Sequence, residues 1–253
     1  TRFVDFMRVL VPMAGDDTTP EGEQVNIYGN HVGSWNFAAT AYLNRWKVKI
    51  YYEHYFDDHS QMFFQYGRWK DGHIGLEITF PKNRFIDTFV YEGLGTKDQT
   101  GPMLYDSFWG KFEEQISAKD NYYNHYLYQG WQHWGMGIGN PLLPGPIYNK
   151  NGQITFISNR VLAHHIGFCG SPCQSLSYRM LLSYSRHWGT YDNPLNEIKK
   201  QFNSLFEVTY APQQLKGWSF TVSGAMDRGS ILGNNYGGML VIRKQGIIKS
   251  GNK

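Results

Sequence analysis

Residues 46–53 read WKVKIYYE, and two kinds of side chain alternate along this segment without a break. The even-numbered positions carry apolar or aromatic side chains, whereas the odd-numbered positions carry two lysines, a tyrosine and a glutamate. Successive side chains of a β-strand point to opposite faces of the sheet, so this alternation predicts a strand with one apolar face and one polar face.

The same pattern recurs along most of the chain. It is clear in segments 34–43, 74–80, 176–185, 206–210 and 218–223, and weaker in segments 25–31, 61–68, 85–93, 123–131, 154–168 and 236–243. Together these segments predict about twelve strands. Two connections carry helical signals instead. Asn193 and Pro194 resemble the N-cap and first turn of a helix, and the apolar residues that follow, up to residue 205, have helical spacing. Asp106 or Ser107 is a candidate cap of a second helical turn.

The composition excludes several classes of protein. Aromatic residues make up 17% of the 253 residues and charged residues only 18%, with 28 glycines. A chain so rich in aromatic residues has enough surface to bury, which argues against disorder, and the composition is not that of a coiled coil. No run of about 20 apolar residues exists, so a helical membrane protein is also excluded.

Chemistry that requires charge clusters, metals or cofactors has little support. The net charge is +3 and no run of Lys or Arg exceeds two residues, so we expect no nucleic-acid partner. Cys169 and Cys173 either form a small disulfide or remain free, and no ligand pair accompanies them, so we predict no metal and no cofactor. Asp57 and Asp58 could be a glycosidase pair, but a solvated turn explains them, and we predict no enzymatic activity.

Two architectures fit alternating strands: a soluble sandwich, and a transmembrane barrel whose apolar face meets lipid. Three features favour the barrel. Several of the alternating segments are longer than the usual strand length of about five or six residues. Aromatic residues cluster where strands end, at Trp35, Trp46, Trp69, Phe80, Trp188, Tyr210 and Trp218. The polar face carries full charges in mid-strand, at Lys47, Lys49, Glu53, Glu77 and Arg179.

Connection lengths predict which loops lie outside the cell. Counted back from the C-terminus, the short connections 211–217 and 169–175 become periplasmic, and the longer connections 132–153, 187–203 and 227–235 become external. Segment 94–121 contradicts this order, because it is long and falls on the periplasmic side. Either it hides another strand or one of the strands predicted upstream is false.

Long segments of the chain resemble the Wzi-type capsule assembly proteins of Gram-negative outer membranes. They are YGNHVGSWNFAATAYL, KVKIYYEHYFDDHSQMFF, YEGLGTKDQTGP, YYNHYLYQGWQHWGMGIGNPLL, NRVLAHHIGF, SYRMLLSYSRHWGTYDNPL and DRGSILGNNYGGMLVIRK, and they cover residues 25–249. The resemblance implies a monomeric, lectin-like antiparallel transmembrane β-barrel in the outer membrane that helps to hold capsular polysaccharide at the cell surface. It also implies that residues 1–253 form one domain, the C-terminal part of a barrel of about eighteen strands.

Polysaccharide binding requires flat aromatic rings that stack on sugars and polar groups that bind hydroxyls or carboxylates. The external loops supply both, and the candidate residues are His133, Trp134, Asn140, Tyr148, Lys150, Trp188, Tyr191, Arg228 and Asn235. The same rings could instead form the aromatic belt of the barrel or pack beneath a loop. The alternative function is a porin or solute channel, lined by the charges of the polar face, and conductance in planar bilayers would distinguish the two.

Overall fold

A nine-stranded antiparallel sheet organises the chain. The computed structural model describes residues 3–11, 16–19, 31–57, 64, 71–104, 116–125 and 130–246. The strands of this main sheet follow the order of the sequence from one edge to the other. They are β1 (Val32–Leu43), β2 (Trp46–Asp57), β3 (Gly72–Thr79), β4 (Thr88–Gly95), β9 (Val161–Cys173), β10 (Leu176–Gly189), β11 (Pro194–Tyr210), β12 (Trp218–Gly229) and β13 (Asn235–Lys244). The predicted all-β, antiparallel fold is therefore confirmed.

The remaining elements are short, and most of them belong to one insertion. Residues 96–160, here called the insertion, separate β4 from β9, although these two strands pair directly. The insertion contains two small hairpins and a 3-10 turn, Pro146–Tyr148. The hairpins pair β5 (Thr100–Leu104) with β6 (Ile116–Lys119), and β7 (Gln132–His133) with β8 (Met136–Gly137). One helix, α1 (Phe3–Leu10), precedes the sheet, and no helix among the described residues is long and apolar enough to cross a membrane.

Long and short connections lie at opposite ends of the main sheet. The long-loop end carries connections 58–71, 96–160, 190–193 and 230–234, and the short-turn end carries 44–45, 80–87, 174–175 and 211–217. Segment 94–121 therefore belongs to the long-loop end with the rest of the insertion. The conflict in the predicted order came from the strand predicted at 123–131, because residues 121–125 and 130–131 lie in turns and irregular structure.

The helix predicted from Asn193 to residue 205 is wrong. Strand β11 occupies this segment, and it pairs with β10 from Lys199 through Tyr210 and again, after a register shift, at Pro194. A ladder of this length satisfies the backbone groups and overrides the weak local helical spacing. The predicted external connection 187–203 consequently shrinks to the turn 190–193.

The structure also bears on the predictions made for Asp57, for the two cysteines and for the weaker segments. Asp57 is buried at the end of β2, not solvated in a turn. Cys169 and Cys173 are both free and both belong to β9. The turn predicted at Asp106 or Ser107, and the strands predicted at 25–31 and 61–68, fall almost entirely outside the described residues.

The register gives the main sheet an apolar face and a polar face. Directly opposed residues of antiparallel strands share a face. One such row crosses eight strands through Tyr51, Gly75, Glu92, His165, Ser183, Asn203, Asp227 and Asn235, and it defines the polar face. The other set of positions forms the apolar face, where the side chains of Ile50, Val222 and Leu240 are 54%, 60% and 63% exposed.

The buried hydrophobic cluster lies between the insertion and the polar face. Tyr123, Leu143 and Phe156 of the insertion pack with Leu94, Val161 and Ala163 of β4 and β9. The largest apolar surface of the sheet is thus exposed, while the insertion covers part of its polar side. A soluble sandwich has the opposite arrangement, since it buries its apolar face.

The cluster predicts that one side chain contributes strongly to packing of the insertion. Phe156 is 1% exposed, whereas Ile154, two residues earlier, is 58% exposed. We expect Phe156→Ala to destabilise the packed insertion by about 3 kcal/mol, because it leaves a cavity, and Ile154→Ala to have little effect. Hydrogen exchange of residues 130–160 measures both. Equal exchange in the two variants would contradict this position of the core.

Candidate functional site

A buried carboxylate attaches the insertion to the long-loop end of the sheet. Asp71, immediately before β3, accepts hydrogen bonds from the backbone N–H groups of Asp98 and Gln99 and from the Tyr122 hydroxyl. Burial raises the pKa of Asp71, and these three hydrogen bonds oppose that shift. Burial beside Asp71 also holds the pKa of Tyr122 well above its usual value, so this hydroxyl stays a donor.

A second buried residue closes the same junction. The amide nitrogen of Asn159 donates to the backbone oxygen of Tyr122 at 2.9 Å. Its backbone oxygen accepts the Thr96 hydroxyl at 2.7 Å and the Gln99 amide at 2.9 Å. The start and the end of the insertion are therefore joined to each other as well as to the sheet.

A cavity of about 990 Å³ lies between the insertion and the polar face. Its polar side chains are largely paired with one another. His73 lies 3.4 Å from Glu92 and 3.8 Å from Glu53, and the Ser34 hydroxyl donates to Glu53 at 2.7 Å. This polar lining could hold water or a small polar ligand.

The charges proposed as a pore lining also have partners. Lys47 lies 3.4 Å from Glu77, and Arg179 lies 3.3 Å from Glu207. The Lys49 ammonium stands 5.2 Å from the centre of the Tyr51 ring. Carboxylates of neighbouring strands therefore balance Lys47 and Arg179, whereas Lys49 contacts a ring of its own strand.

An exposed aromatic platform projects from the insertion. Trp134, at the tip of the β7–β8 hairpin, is 83% exposed, and Tyr148 is 60% exposed. The Gly135 carbonyl accepts the Ile147 N–H at 2.8 Å, which holds the hairpin against the 3-10 turn. Gly135 has φ +79° and a side chain there would meet Ile147, so the close approach requires glycine. The backbone segments that carry Trp134 and Tyr148, here called the aromatic platform, are thus held together while both rings stay exposed.

Four cations and two rings form a second group at the long-loop end. The Arg160 guanidinium lies 3.7 Å from the centre of the Tyr191 ring, and Lys119 approaches the same ring at 5.3 Å. Lys97 and Arg186 lie 5.2 and 5.0 Å from the centre of the Trp188 ring. Among the described residues, none of these four cations forms an ion pair with a carboxylate. We call this group the basic–aromatic cluster.

Hydrogen bonds hold the basic–aromatic cluster rigid. The Tyr191 hydroxyl lies 3.3 Å from the backbone oxygens of both Lys97 and Asp98. The Arg160 Nε donates to the Lys97 oxygen at 3.3 Å, and the Trp188 N–H donates to the Arg160 oxygen at 3.0 Å. The Arg160 side chain is therefore held by a hydrogen bond and a ring contact, and ring contacts position Lys97, Lys119 and Arg186.

The candidate residues from the sequence all lie at the long-loop end, but in several groups. Trp134 and Tyr148 form the aromatic platform, and Trp188 and Tyr191 belong to the basic–aromatic cluster. Arg228 lies near the end of β12, on the apolar face. The others are His133, Asn140 and Lys150, elsewhere in the insertion, and Asn235, which starts β13 on the polar face and donates to the Leu232 oxygen.

Sequence reasoning missed three members of the basic–aromatic cluster: Lys97, Lys119 and Arg160. They are far apart in the sequence and meet only because β4 pairs with β9 across the insertion. Trp188 is half-buried and already contacts two cations, so its faces are less free for a sugar than those of Trp134. The described residues contain no group of three or more His, Cys, Asp or Glu that could hold a metal ion.

No family model, curated protein or solved structure matches this chain. The resemblance to Wzi-type proteins is therefore not tested by these comparisons and stays a prediction.

Loss of the Asp71 carboxylate should loosen the attachment of the insertion to the sheet. Asp71→Asn replaces one acceptor oxygen with an NH₂ group that cannot accept the bonds from Gln99 and Tyr122, at a cost of about 1–3 kcal/mol. We expect the amides of Asp98 and Gln99 to exchange faster with solvent, as measured by hydrogen-exchange mass spectrometry. Asp192→Asn is the control, because Asp192 is exposed and, from the residues that the structure describes, its carboxylate accepts one bond, from Asn121 at 3.4 Å. If both variants exchange alike, Asp71 does not hold the insertion.

Proposed function

We propose that this protein is an outer-membrane β-barrel of a Gram-negative bacterium, lectin-like, that helps to assemble or anchor capsular polysaccharide at the cell surface. The proposed location in a membrane is supported most directly by the exposed apolar face of the main sheet. Full exposure of so many large side chains would be unfavourable in water, whereas lipid accommodates them.

The ends of the apolar face support the same assignment. Trp46 packs on Phe80 at the short-turn end, with ring centres 5.0 Å apart, and Trp218 stacks on Phe220 there. Tyr236, near the long-loop end, is 78% exposed. Aromatic rings at both ends of an apolar band are typical of membrane interfaces.

A sheet in lipid requires both of its edges to be paired. Strands β1 and β13 each have one hydrogen-bonded neighbour among the described residues. Bare edges would leave backbone groups unsatisfied in hydrocarbon, so the proposal includes closure within a larger barrel. The family that the sequence resembles has about eighteen strands, and we assign these nine to its C-terminal part.

The polar face supports a closed anchor over an open channel. The insertion packs on this face, the charges of Lys47 and Arg179 are balanced by carboxylates of neighbouring strands, and Glu53 accepts a hydrogen bond from Ser34. An open pore needs unobstructed space and charges available to passing ions. The porin alternative is therefore less well supported. The proposal includes no enzymatic step and no cofactor, and it describes a monomer.

The aromatic platform supports binding of a polysaccharide. Its two rings are exposed at the end with the long connections, and the backbone bond between Gly135 and Ile147 holds together the segments that carry them. Aromatic rings offer a large, flat contact area with few rotatable bonds, which suits stacking on sugar rings. His133 and Lys150 lie beside the rings in sequence and supply polar groups for hydroxyls or carboxylates.

The membrane assignment predicts opposite results for charges on the two faces. Val222 lies on the apolar face and is 60% exposed, so an arginine there would be harmless in water. In a bilayer, Val222→Arg should destabilise the sheet by about 2–4 kcal/mol if it lies near the midplane. Ala225→Arg, on the polar face of the same strand, should be tolerated. Unfolding in urea from lipid vesicles measures both, and equal stability would contradict a lipid-facing surface.

The aromatic platform predicts a loss of capsule attachment. Stacking on each ring contributes on the order of 1 kcal/mol, so Trp134→Ala with Tyr148→Ala should weaken retention roughly tenfold or more. The measurement compares attached with shed polysaccharide in capsulated cells at equal abundance of the protein. Phe85→Ala is the control, since Phe85 is 72% exposed at the opposite end of the sheet. Unchanged attachment in the double variant would remove the aromatic platform from the binding site.

A further inference from the structure

Charge is distributed unequally between the two faces of the main sheet. The acidic side chains within the paired registers all lie on the polar face, and they are Glu53, Asp57, Glu77, Glu92, Glu207 and Asp227. The apolar face carries cations only: Arg186, Lys200 and Arg228 near the long-loop end, and Lys244 at the short-turn end. Lys47 and Arg179 of the polar face form ion pairs with Glu77 and Glu207, whereas the three cations at the long-loop end form none with the described residues.

These three cations are neighbours. Arg186 of β10 is directly opposite Lys200 of β11, and Arg228 of β12 is directly opposite Phe202 of β11. Tyr184 is opposite Phe202, so aromatic rings form the next row of the apolar face toward its centre. All three cations are exposed. They therefore mark the boundary where the apolar surface ends.

The basic–aromatic cluster extends this boundary to β9 and β4. Trp188 lies two positions beyond Arg186 on β10, and its ring contacts both Arg186 and Lys97. Arg160 immediately precedes β9 and continues its ladder, since its N–H donates to the Gly189 oxygen at 3.1 Å. Five cations thus follow the edge of the apolar face across five adjacent strands. We call them the basic rim: Lys97, Arg160, Arg186, Lys200 and Arg228.

We propose that the basic rim binds the phosphate groups of lipid headgroups in the membrane leaflet at the long-loop end. The inference rests on the proposed lipid contact of the apolar face. Guanidinium and ammonium groups pair with phosphate through charge-assisted hydrogen bonds, and cations without protein partners are available for this. Tyr191 and Trp188 hold three of these cations in place by ring contacts, so little side-chain entropy is lost on binding.

The position of the basic rim favours a lipid over the polysaccharide. Its side chains stand on the apolar face directly beside aromatic rings, where lipid chains end and headgroups begin. The aromatic platform, by contrast, projects from the insertion. The carboxylates of Asp98 and Asp192 lie in the connections, and Glu197 lies in the stretch of β11 between its paired residues Pro194 and Lys199.

The test uses the full chain in detergent and lipid A as the probe, with its phosphates present or removed. The variant combines Arg186→Gln, Lys200→Gln and Arg228→Gln, all at exposed positions. Each cation near an anionic lipid surface changes affinity roughly fivefold, so the triple variant should bind phosphorylated lipid A roughly a hundredfold more weakly. Dephosphorylated lipid A should bind both proteins equally weakly.

A matched control removes the same number of exposed charges at the short-turn end, by Lys82→Gln, Arg84→Gln and Lys216→Gln. It should bind phosphorylated lipid A as the unaltered chain does. Equal loss in both triple variants would show nonspecific charge attraction and overturn the proposal. So would competition by inorganic phosphate at the same concentration as lipid A, because the rim would then be a site for free phosphate.

A second measurement, entry of the protein into vesicles of neutral phosphatidylcholine, distinguishes a failure of this inference from a failure of the proposed function. If the unaltered chain, supplied together with the further strands that the proposed barrel requires, does not enter the bilayer, the membrane assignment fails and the proposal fails with it. If both proteins insert equally and phosphorylated lipid A binds both equally, only the basic rim is contradicted. If both proteins enter the vesicles and only the triple variant of the basic rim loses binding of phosphorylated lipid A, the inference is supported.

Discussion

Strand register is the constraint on which the rest of this structure depends. A slip of one residue would move every side chain of a strand to the other face. Glu53, Glu92 and Asp227 would then lie among large apolar groups, and the apolar positions would lie against the insertion. Cross-strand pairs on the polar face, such as Lys47 with Glu77 and Arg179 with Glu207, reinforce the register because each forms only in one alignment.

The register also determines where functional groups are found. Because apolar and polar positions are separated by face, cations on the apolar face are confined to the ends of its strands. Because the long connections share one end, the aromatic platform and the basic–aromatic cluster lie at that end. The same alternation that makes the sheet therefore separates a stacking surface on the insertion from a charged boundary on the sheet.

The sequence predicted the strands well where alternation was long and uninterrupted, as in β1, β2 and β10. It failed where local spacing competed with pairing between distant segments. Leu195, Ile198 and Phe202 are spaced as in a helix, yet pairing with β10 places this segment in β11. The aromatic residues of 123–131 resembled a strand, but Tyr123 packs in the hydrophobic cluster between the insertion and the sheet.

The candidate site was predicted in part for the same reason. Trp134, Tyr148, Trp188 and Tyr191 were identifiable from residue type and loop position. Arg160 and Lys97 were not, since their contacts depend on strands that meet across the insertion. No local pattern marks residues that become neighbours only through the β4–β9 ladder.

That ladder has a consequence for how such a protein can diversify. Strands β4 and β9 pair residue by residue from Thr88 to Gly95, so the hydrogen bonding of the sheet is continuous whatever chain joins the two strands. The insertion between them is attached at Asp71 and Asn159 and through the hydrophobic cluster of Tyr123, Leu143 and Phe156. Residues of the insertion beyond these contacts can therefore be exchanged, lengthened or shortened while the paired strands stay constant. Under the proposed function, glycan preference can then change separately from folding of the sheet.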